Sequence, residues 1–478
     1  MTPPTSPIRV AVIGAGPAGM TAAYQLSKGG AQVDLYEASP HVGGMARTLD
    51  LWGQRADLGP HRFLSNDARV NALWLEVVGR EYRLVNRLTR IYYRGRFFHY
   101  PLRPFDALAK LGPLEAARCM ASYAAGRLRG AEEGASFEEW VVARFGRRLF
   151  EIFFKTYSEK LWGIPCSELD ADFATQRIKK LSLLEAVKNA FSLGAGGHKT
   201  LAERFAYPRR GTGFVYERMA ELLRERGGRI HLQRPVKRVL LDGARARGVE
   251  LEDGETAEAD HVVSSMPLSL LVGRLPGAPQ DVLAAAAALR FRNTILVYLH
   301  AGAPDLFPDN WLYIHAAELR MGRLTNFRNW VPELHGGARS SILVAEYWCN
   351  DADPLWREPE EALVRLASDE VRGTGLLRDA PILDGRVVRL PRCYPVYQRG
   401  YRQPLEKIER YLRGIDHLLP IGRYGAFKYN NQDHSILMGM LAAENVLGAG
   451  RHDLWSVNTD YDSYQEEGAS IAIPEELV

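Results

Sequence analysis

Gly14, Gly16 and Gly19 stand in a Gly-x-Gly-x-x-Gly spacing directly after an apolar run at residues 10–13, and an acid, Glu37, follows roughly twenty residues later. Each glycine answers a separate steric demand: a tight turn, backbone approach to a pyrophosphate, and close packing of helix on strand. Pro17 and Ala18 open the next helix, whose unpaired N–H groups and positive dipole end attract phosphate. Glu37, followed by Ala38, is placed to accept the hydrogen bonds of a ribose diol. A bare glycine turn with no ligand is the competing reading; the strand before, the helix after and the acid at this spacing argue against it. Residues 8–37 are therefore expected to bind a dinucleotide.

The elements that must hold this turn can be followed along the chain. The run at residues 10–13 has the unbroken hydrophobicity of a parallel strand buried on both faces. Short strands and loops follow to residue 103, and residues 104–193 read as predominantly helical. A helix after Gly211-Thr212-Gly213 ends at Gly227-Gly228. Turns at Asp242-Gly243 and Asp253-Gly254 then mark a β-meander, and Val236 at its start is expected beside the cofactor. Mixed strands and helices fill residues 267–391. The fold class is thus α/β: a discontinuous Rossmann-like cofactor domain (1–103, 194–266 and 392–478), a helical insertion (104–193) and a mixed-sheet substrate domain (267–391).

Composition narrows the function. The chain has 478 residues, 46% hydrophobic and 25% charged, which excludes a disordered module. Lys+Arg 61 against Asp+Glu 57 gives +4 without a basic tail, so nucleic acid is not an expected partner. Four scattered cysteines with no CxxC pair fit a reducing, cytoplasmic setting. No leader is read at the start, and the most apolar later stretch, residues 282–299, is broken by Arg290 and Arg292. The Ala/Leu/Arg-rich residues 104–129 read as packing helices, with membrane contact not expected. The 12 histidines are dispersed, without HExxH, so no metal is expected.

Beyond Glu37, the run Gly43-Gly44-Met45-Ala46 resembles the extended FAD fingerprint of amine oxidases, protoporphyrinogen oxidases and UDP-galactopyranose mutases. That resemblance implies FAD as cofactor. Three further stretches resemble the mutases. Gly59-Pro60-His61-Arg62-Phe63 is similar to their GxHxF loop, which implies that His61 lies near the flavin. Residues 146–163 resemble a segment ending in YxEKxWG, implying that Tyr157 and Trp162 meet substrate and that Lys160 lines the helical domain. Gly422-Arg423 and the stretch through Tyr429, Asn431, Asp433 and Ser435 resemble the GRxxxYxYxDM segment, with Asn431 where the family has aspartate.

For a nucleotide diphosphate the resemblance implies an arginine clamp and a tyrosine, matched by Arg292 and Tyr394. The second clamp arginine is replaced by Leu181, leaving Lys180, Arg323 or Arg328 to compensate. With His61, Arg292, Tyr394 and Tyr429 as catalytic candidates, the first expectation is pyranose/furanose isomerisation of a nucleotide-linked sugar by a reduced flavin. The alternative is an oxidoreductase passing substrate hydride to flavin, with Trp348, Tyr394, Tyr397 and Tyr429 as an aromatic cage and Cys393 as a minor candidate for flavin attachment. A flavin-binding scaffold without turnover is a third reading. The partner is a small molecule, and a homodimer is compatible with the sequence.

Overall fold

The computed structural model describes residues 7–102, 104–129, 135–172 and 204–457. Its first sheet has five parallel strands in the order Leu418–Pro420, His261–Ser264, Arg9–Ile13, Gln32–Glu37 and Arg229–Leu232. Val12 faces Leu35 on one side and Val263 on the other. Side chains alternate across a strand, so the two halves of its apolar run enter different cores. Val10 and Val12 pack with the helices Pro17–Lys28, Gly213–Glu225 and Gln432–Leu447, whereas Ala11 and Ile13 pack with Val239 and Val249 of the meander Val236–Asp242, Arg245–Leu251 and Thr256–Glu258. Burial on both faces is why the run is continuous.

A second, seven-stranded sheet follows the order Ile382–Pro395, Phe291–Ala301, Ser341–Cys349, Arg323–Asn326, Trp311–Ile314, Thr89–Tyr93 and Arg96–His99. Every pair is antiparallel except Trp311–Ile314 with Thr89–Tyr93. The hairpin Thr89–His99, expected with the cofactor segment 1–103, therefore extends this sheet, and the strand Ile382–Pro395 runs past the expected boundary at 391. Neither feature is local. Both depend on partners more than 80 residues away, as in Thr89 opposite Trp311 and Pro395 opposite Phe291. The expected helices of the insertion are present in its described part. Pro104–Leu111, Pro113–Arg129 and Phe137–Phe145 precede a π-helical stretch, Glu151–Lys155, that runs into Thr156–Trp162. Ser136 and Glu139 form a capping box that starts the third of these.

The last helix crosses the first where both lack bulk. A Cβ at Gly439 would lie 2.5 Å from Ala18 O and 2.8 Å from Thr21 Cβ. Gly439→Val should therefore separate Gln432–Leu447 from Pro17–Lys28, costing about 3 kcal/mol in denaturant unfolding and lowering cofactor content. Gly243→Ala, where a Cβ meets nothing within 4 Å, serves as the control: its positive φ of 58° should cost only local strain and leave cofactor content unchanged.

Candidate functional site

The glycine turn is steric in origin. At Gly14 (φ 94°) a Cβ would lie 2.4 Å from Ser265 Oγ, and at Gly19 it would lie 2.0 Å from Gly14 O. Gly43 and Gly44 also have positive φ, and a Cβ on Gly44 would lie 2.9 Å from Gly16 Cα. The expected second glycine pair thus closes over the first turn. Glu37 holds the turn from below, its carboxylate accepting from Ala15 N at 2.7 Å and Ser39 N at 2.8 Å. The helix at Pro17 begins with no side-chain cap, leaving its first N–H groups to an anion. Arg47 Nε and the Tyr424 hydroxyl are buried without a hydrogen-bond partner beside this groove's two ends in sequence, just after Gly44 and Arg423. A long, polar, diphosphate-containing group such as FAD fits this cradle.

Other cofactor candidates fall into place to different degrees. Gly422 meets the first helix, since a Cβ there would lie 2.7 Å from Ala18 Cβ. Ala46 is buried, and Met45 Sδ lies 3.7 Å from Cys393 Sγ. Asn431 precedes the helix Gln432–Leu447 without capping it through its side chain; Asp433 and Ser435 are buried in its first turn, Asp433 at 3.1 Å from His434 Nδ1. Val236 is buried in the meander core, with its carbonyl accepting from Arg274. Burial pushes the Cys393 thiol up to about 12, away from thiolate chemistry.

The loop Gly59-Pro60-His61 is suspended from one buried carboxylate that sequence reading overlooked. Asp57 accepts hydrogen bonds from Thr48 Oγ1 (2.6 Å), Tyr207 OH (2.6 Å) and Thr212 N (3.2 Å), while its carbonyl accepts from Gly59 N and Tyr298 OH, both at 2.8 Å. Thr212 Oγ1 in turn donates to His61 O at 2.8 Å. The loop is therefore positioned through its backbone, which leaves the imidazole unrestrained at Nδ1. Desolvation, reinforced by the Arg323 and Arg423 cations, pushes His61 down to about 3, so it is neutral across the physiological range. Nothing in the local pattern around Asp57 marks it; apart from Thr48, opposite it in its own hairpin, its partners Tyr207, Thr212 and Tyr298 lie 150 to 241 residues away.

An aromatic wall shares the Arg423 cation with this loop. Trp162 lies edge-on to Tyr394 (6.2 Å between centroids) and Tyr429 (5.4 Å), and those two tyrosines stack at 5.8 Å. Trp348 meets both Tyr394 (6.3 Å) and Tyr157 (5.5 Å). Tyr157 stacks on His315 and touches Tyr313, neither of which was anticipated. The Arg423 guanidinium covers Tyr394 and Tyr429 at 4.9 and 4.5 Å. It is held there by donation to Cys393 O and Asn430 O. Burial pushes the Tyr157 and Tyr394 hydroxyls well above the usual phenol range, yet both rings, with Tyr313 and Tyr429, remain only half-buried. Their partly exposed faces are surfaces that a flat ligand could meet. Tyr397 is not in this wall: it stacks on Tyr401, and its hydroxyl accepts from Tyr429 N at 2.9 Å.

The expected phosphate-binding cations are placed differently. Arg292 is buried and donates to Leu161 O (3.2 Å), Lys160 O (3.1 Å) and Trp348 O (2.8 Å), with Asp353 at 3.5 Å. Its hydrogen bonds tie helix Thr156–Trp162 to a strand. Arg328 donates to Ala338 O and Ser340 O, and Arg323 makes a two-pronged pair with Glu346 at 2.6 and 2.5 Å. Lys160 gives all three donors to carbonyls, Ile314 O, Ala316 O and Met321 O. Lys180 and Leu181 lie outside the described residues. Carbonyl ligation of this kind leaves no local signature, so arginine type and spacing alone could not reveal it.

Residues 17–412 match the family described as flavin containing amine oxidoreductase. The zeta-carotene-forming phytoene desaturase of Myxococcus xanthus is 25% identical over 336 residues, covering 65% of this chain and 63% of its own length, so the match spans under two thirds of that relative. The structure of reduced UDP-galactopyranose mutase superposes with a TM-score of 0.84 at 22% identity, over 95% of this chain and 98% of its own. Putrescine oxidase bound to putrescine superposes with a TM-score of 0.61 at 19% identity, over 94% and 100%.

Burial pushes the Asp57 carboxyl up to about 7 from an ordinary 3.8, against the opposing hydrogen bonds of Thr48, Tyr207 and Thr212. A carboxyl raised in the native state holds its proton longer there than when unfolded, so its contribution is full below about pH 4 and is lost as pH rises through about 7. Asp57→Asn keeps acceptors for Thr48 and Thr212 and should remove this downward slope from stability measured by denaturant unfolding between pH 4 and 8; an unchanged slope would place the titration elsewhere.

Proposed function

Because the chain belongs to the flavin-containing amine oxidoreductases and is an FAD-dependent enzyme, we propose that it is an oxidoreductase whose substrate is a neutral molecule held between aromatic faces and oxidised by hydride removal. Bound FAD supplies the two-electron acceptor. Gly14, Gly16, Gly19, Glu37, Gly43, Gly44 and the start of helix Gln432–Leu447 would hold it. The protein's own side chains select and orient the substrate. Tyr157, Tyr394 and Tyr429 offer ring faces, and neutral His61 offers hydrogen-bonding capacity without a charge.

The observation that carries this reading is the disposal of charge. Arg292, Arg323 and Arg328 are each engaged by carbonyls or a carboxylate, which opposes capture of a diphosphate. Arg323 and Arg423 lie close enough to depress His61, which opposes an amine cation. A neutral substrate satisfies both constraints. Isomerisation of a nucleotide-linked sugar is the second reading. It is favoured by Trp162, Tyr394 and Tyr429 meeting in one cluster, as the mutase resemblance implies, with Arg423 over the two tyrosines, but Arg292 and Arg328 are engaged by carbonyls and Arg323 by Glu346.

Anaerobic mixing of oxidised, FAD-loaded enzyme with neutral cyclic and polyene substrates, followed by flavin absorbance, tests the choice. Bleaching is expected with a member of that set, and chemically reduced enzyme should leave the ring size of UDP-hexoses unchanged. Conversion of a UDP-hexopyranose to its furanose by the reduced enzyme would overturn the proposal. With the accepted substrate, Tyr394→Ala should lower kcat/KM about tenfold, whereas Tyr394→Phe, which keeps the ring face, should lower it far less.

A further inference from the structure

The helix Pro113–Arg129 is fixed on one side and, among the described residues, unpartnered on the other. Its inward side is packed to contact distance. Cys119 is fully buried, and a Cβ at Gly126 would lie 2.5 Å from Val142 O of the neighbouring helix Phe137–Phe145. Outward it carries three of the five exposed large apolar side chains among the described residues, Leu114 at 65%, Met120 at 45% and Leu128 at 90%. At 100° per residue, Leu114, Ala117, Ala121, Ala124 and Leu128 form one stripe, all of them exposed. Arg118 borders the stripe on one side, and Arg127 with Met120 borders it on the other. Among the described residues, no exposed residue of this face is acidic. The helix's own carboxylate, Glu115, is half-buried and taken by Arg148 at 2.7 Å and Arg118 at 2.6 Å.

From this face we infer a docking surface for an anionic lipid bilayer, with the helix lying in the plane of the interface. An apolar stripe flanked by long cationic side chains sinks its leucines below the headgroups while the guanidiniums stay among lipid phosphates. A second copy of the chain is a poorer occupant. Two-fold pairing would set Arg118 and Arg127 against the same arginines with no exposed carboxylate on either face to offset them. Among the described residues no helix is long and apolar enough to cross a membrane, so the attachment is peripheral. The inference departs from the favoured sequence-based reading of residues 104–129 as packing helices, and it does not depend on which substrate the enzyme oxidises.

Flotation of the full-length, FAD-loaded protein with vesicles tests it. Binding is expected to vesicles of phosphatidylcholine with phosphatidylglycerol, weakening with added salt, and not to phosphatidylcholine alone. L114E/L128E, at sites that touch no core, should reduce the bound fraction at least about tenfold with unchanged flavin content and circular dichroism. R118Q/R127Q should abolish the preference for the anionic vesicles. Failure of the wild-type protein to float with either vesicle, or undiminished binding of L114E/L128E, would overturn the inference. So would a concentration-dependent dimer in light scattering that L114E/L128E dissolves.

Discussion

Two buried cations directed at backbone carbonyls hold the aromatic wall in place. Lys160 and Arg292 each donate to three carbonyls, and both act on the short helix Thr156–Trp162. Lys160 fastens it to the segment between the strands Trp311–Ile314 and Arg323–Asn326. Arg292 fastens its C-terminal turn to the strand Ser341–Cys349, through Trp348 O. A Cβ at Gly163 would lie 2.4 Å from the Arg292 guanidinium, so the helix must stop on a glycine for the cation to reach those carbonyls. Tyr157 and Trp162, at the two ends of this clamped turn, acquire their orientation from it. Burial lowers Lys160 to about 8, which leaves it charged at neutral pH, where it satisfies three otherwise orphaned acceptors.

The two sheets divide the work. The parallel sheet carries the Gly14 turn that would hold the dinucleotide under the proposed reading, while the seven-stranded sheet supplies Trp348 and Tyr394 to the aromatic cluster. They are joined at the His61 loop. Asp57 collects a hydroxyl from Thr48, another from Tyr207 and an amide from Thr212, and Tyr298 of the large sheet reaches its carbonyl. One buried aspartate thus links Thr48, Tyr207 and Thr212 through its carboxyl and the strand Phe291–Ala301 through its main-chain carbonyl. Its raised pKa is the electrostatic consequence of burying an acceptor whose partners are neutral.

How much was legible in the sequence follows the range of the interactions involved. The glycine turn, Glu37, the second glycine pair and the meander are written in contiguous residues, and the structure places them together. The meeting of Trp162, Tyr394 and Tyr429 was legible through family resemblance, because their motifs survive individually. What stayed hidden depends on tertiary partners. The hairpin at Thr89–His99 has an ordinary strand pattern and nothing that names its sheet. Arg292 sits where the resemblance put a clamp residue, yet its chemistry is set by carbonyls of Lys160, Leu161 and Trp348, which any sequence would offer. Asp57, Tyr313 and His315 fall in unremarkable contexts and gain significance only from their tertiary partners.

The role of Arg292 as a structural clamp is tested most directly by Arg292→Met in the FAD-loaded protein, with unfolding free energy and UDP affinity measured side by side. Loss of about 3 kcal/mol of stability is expected, since three buried carbonyls lose their donor, with no measurable change in UDP binding. Unchanged stability together with lost UDP affinity would contradict it, and would return this arginine to the substrate's phosphates.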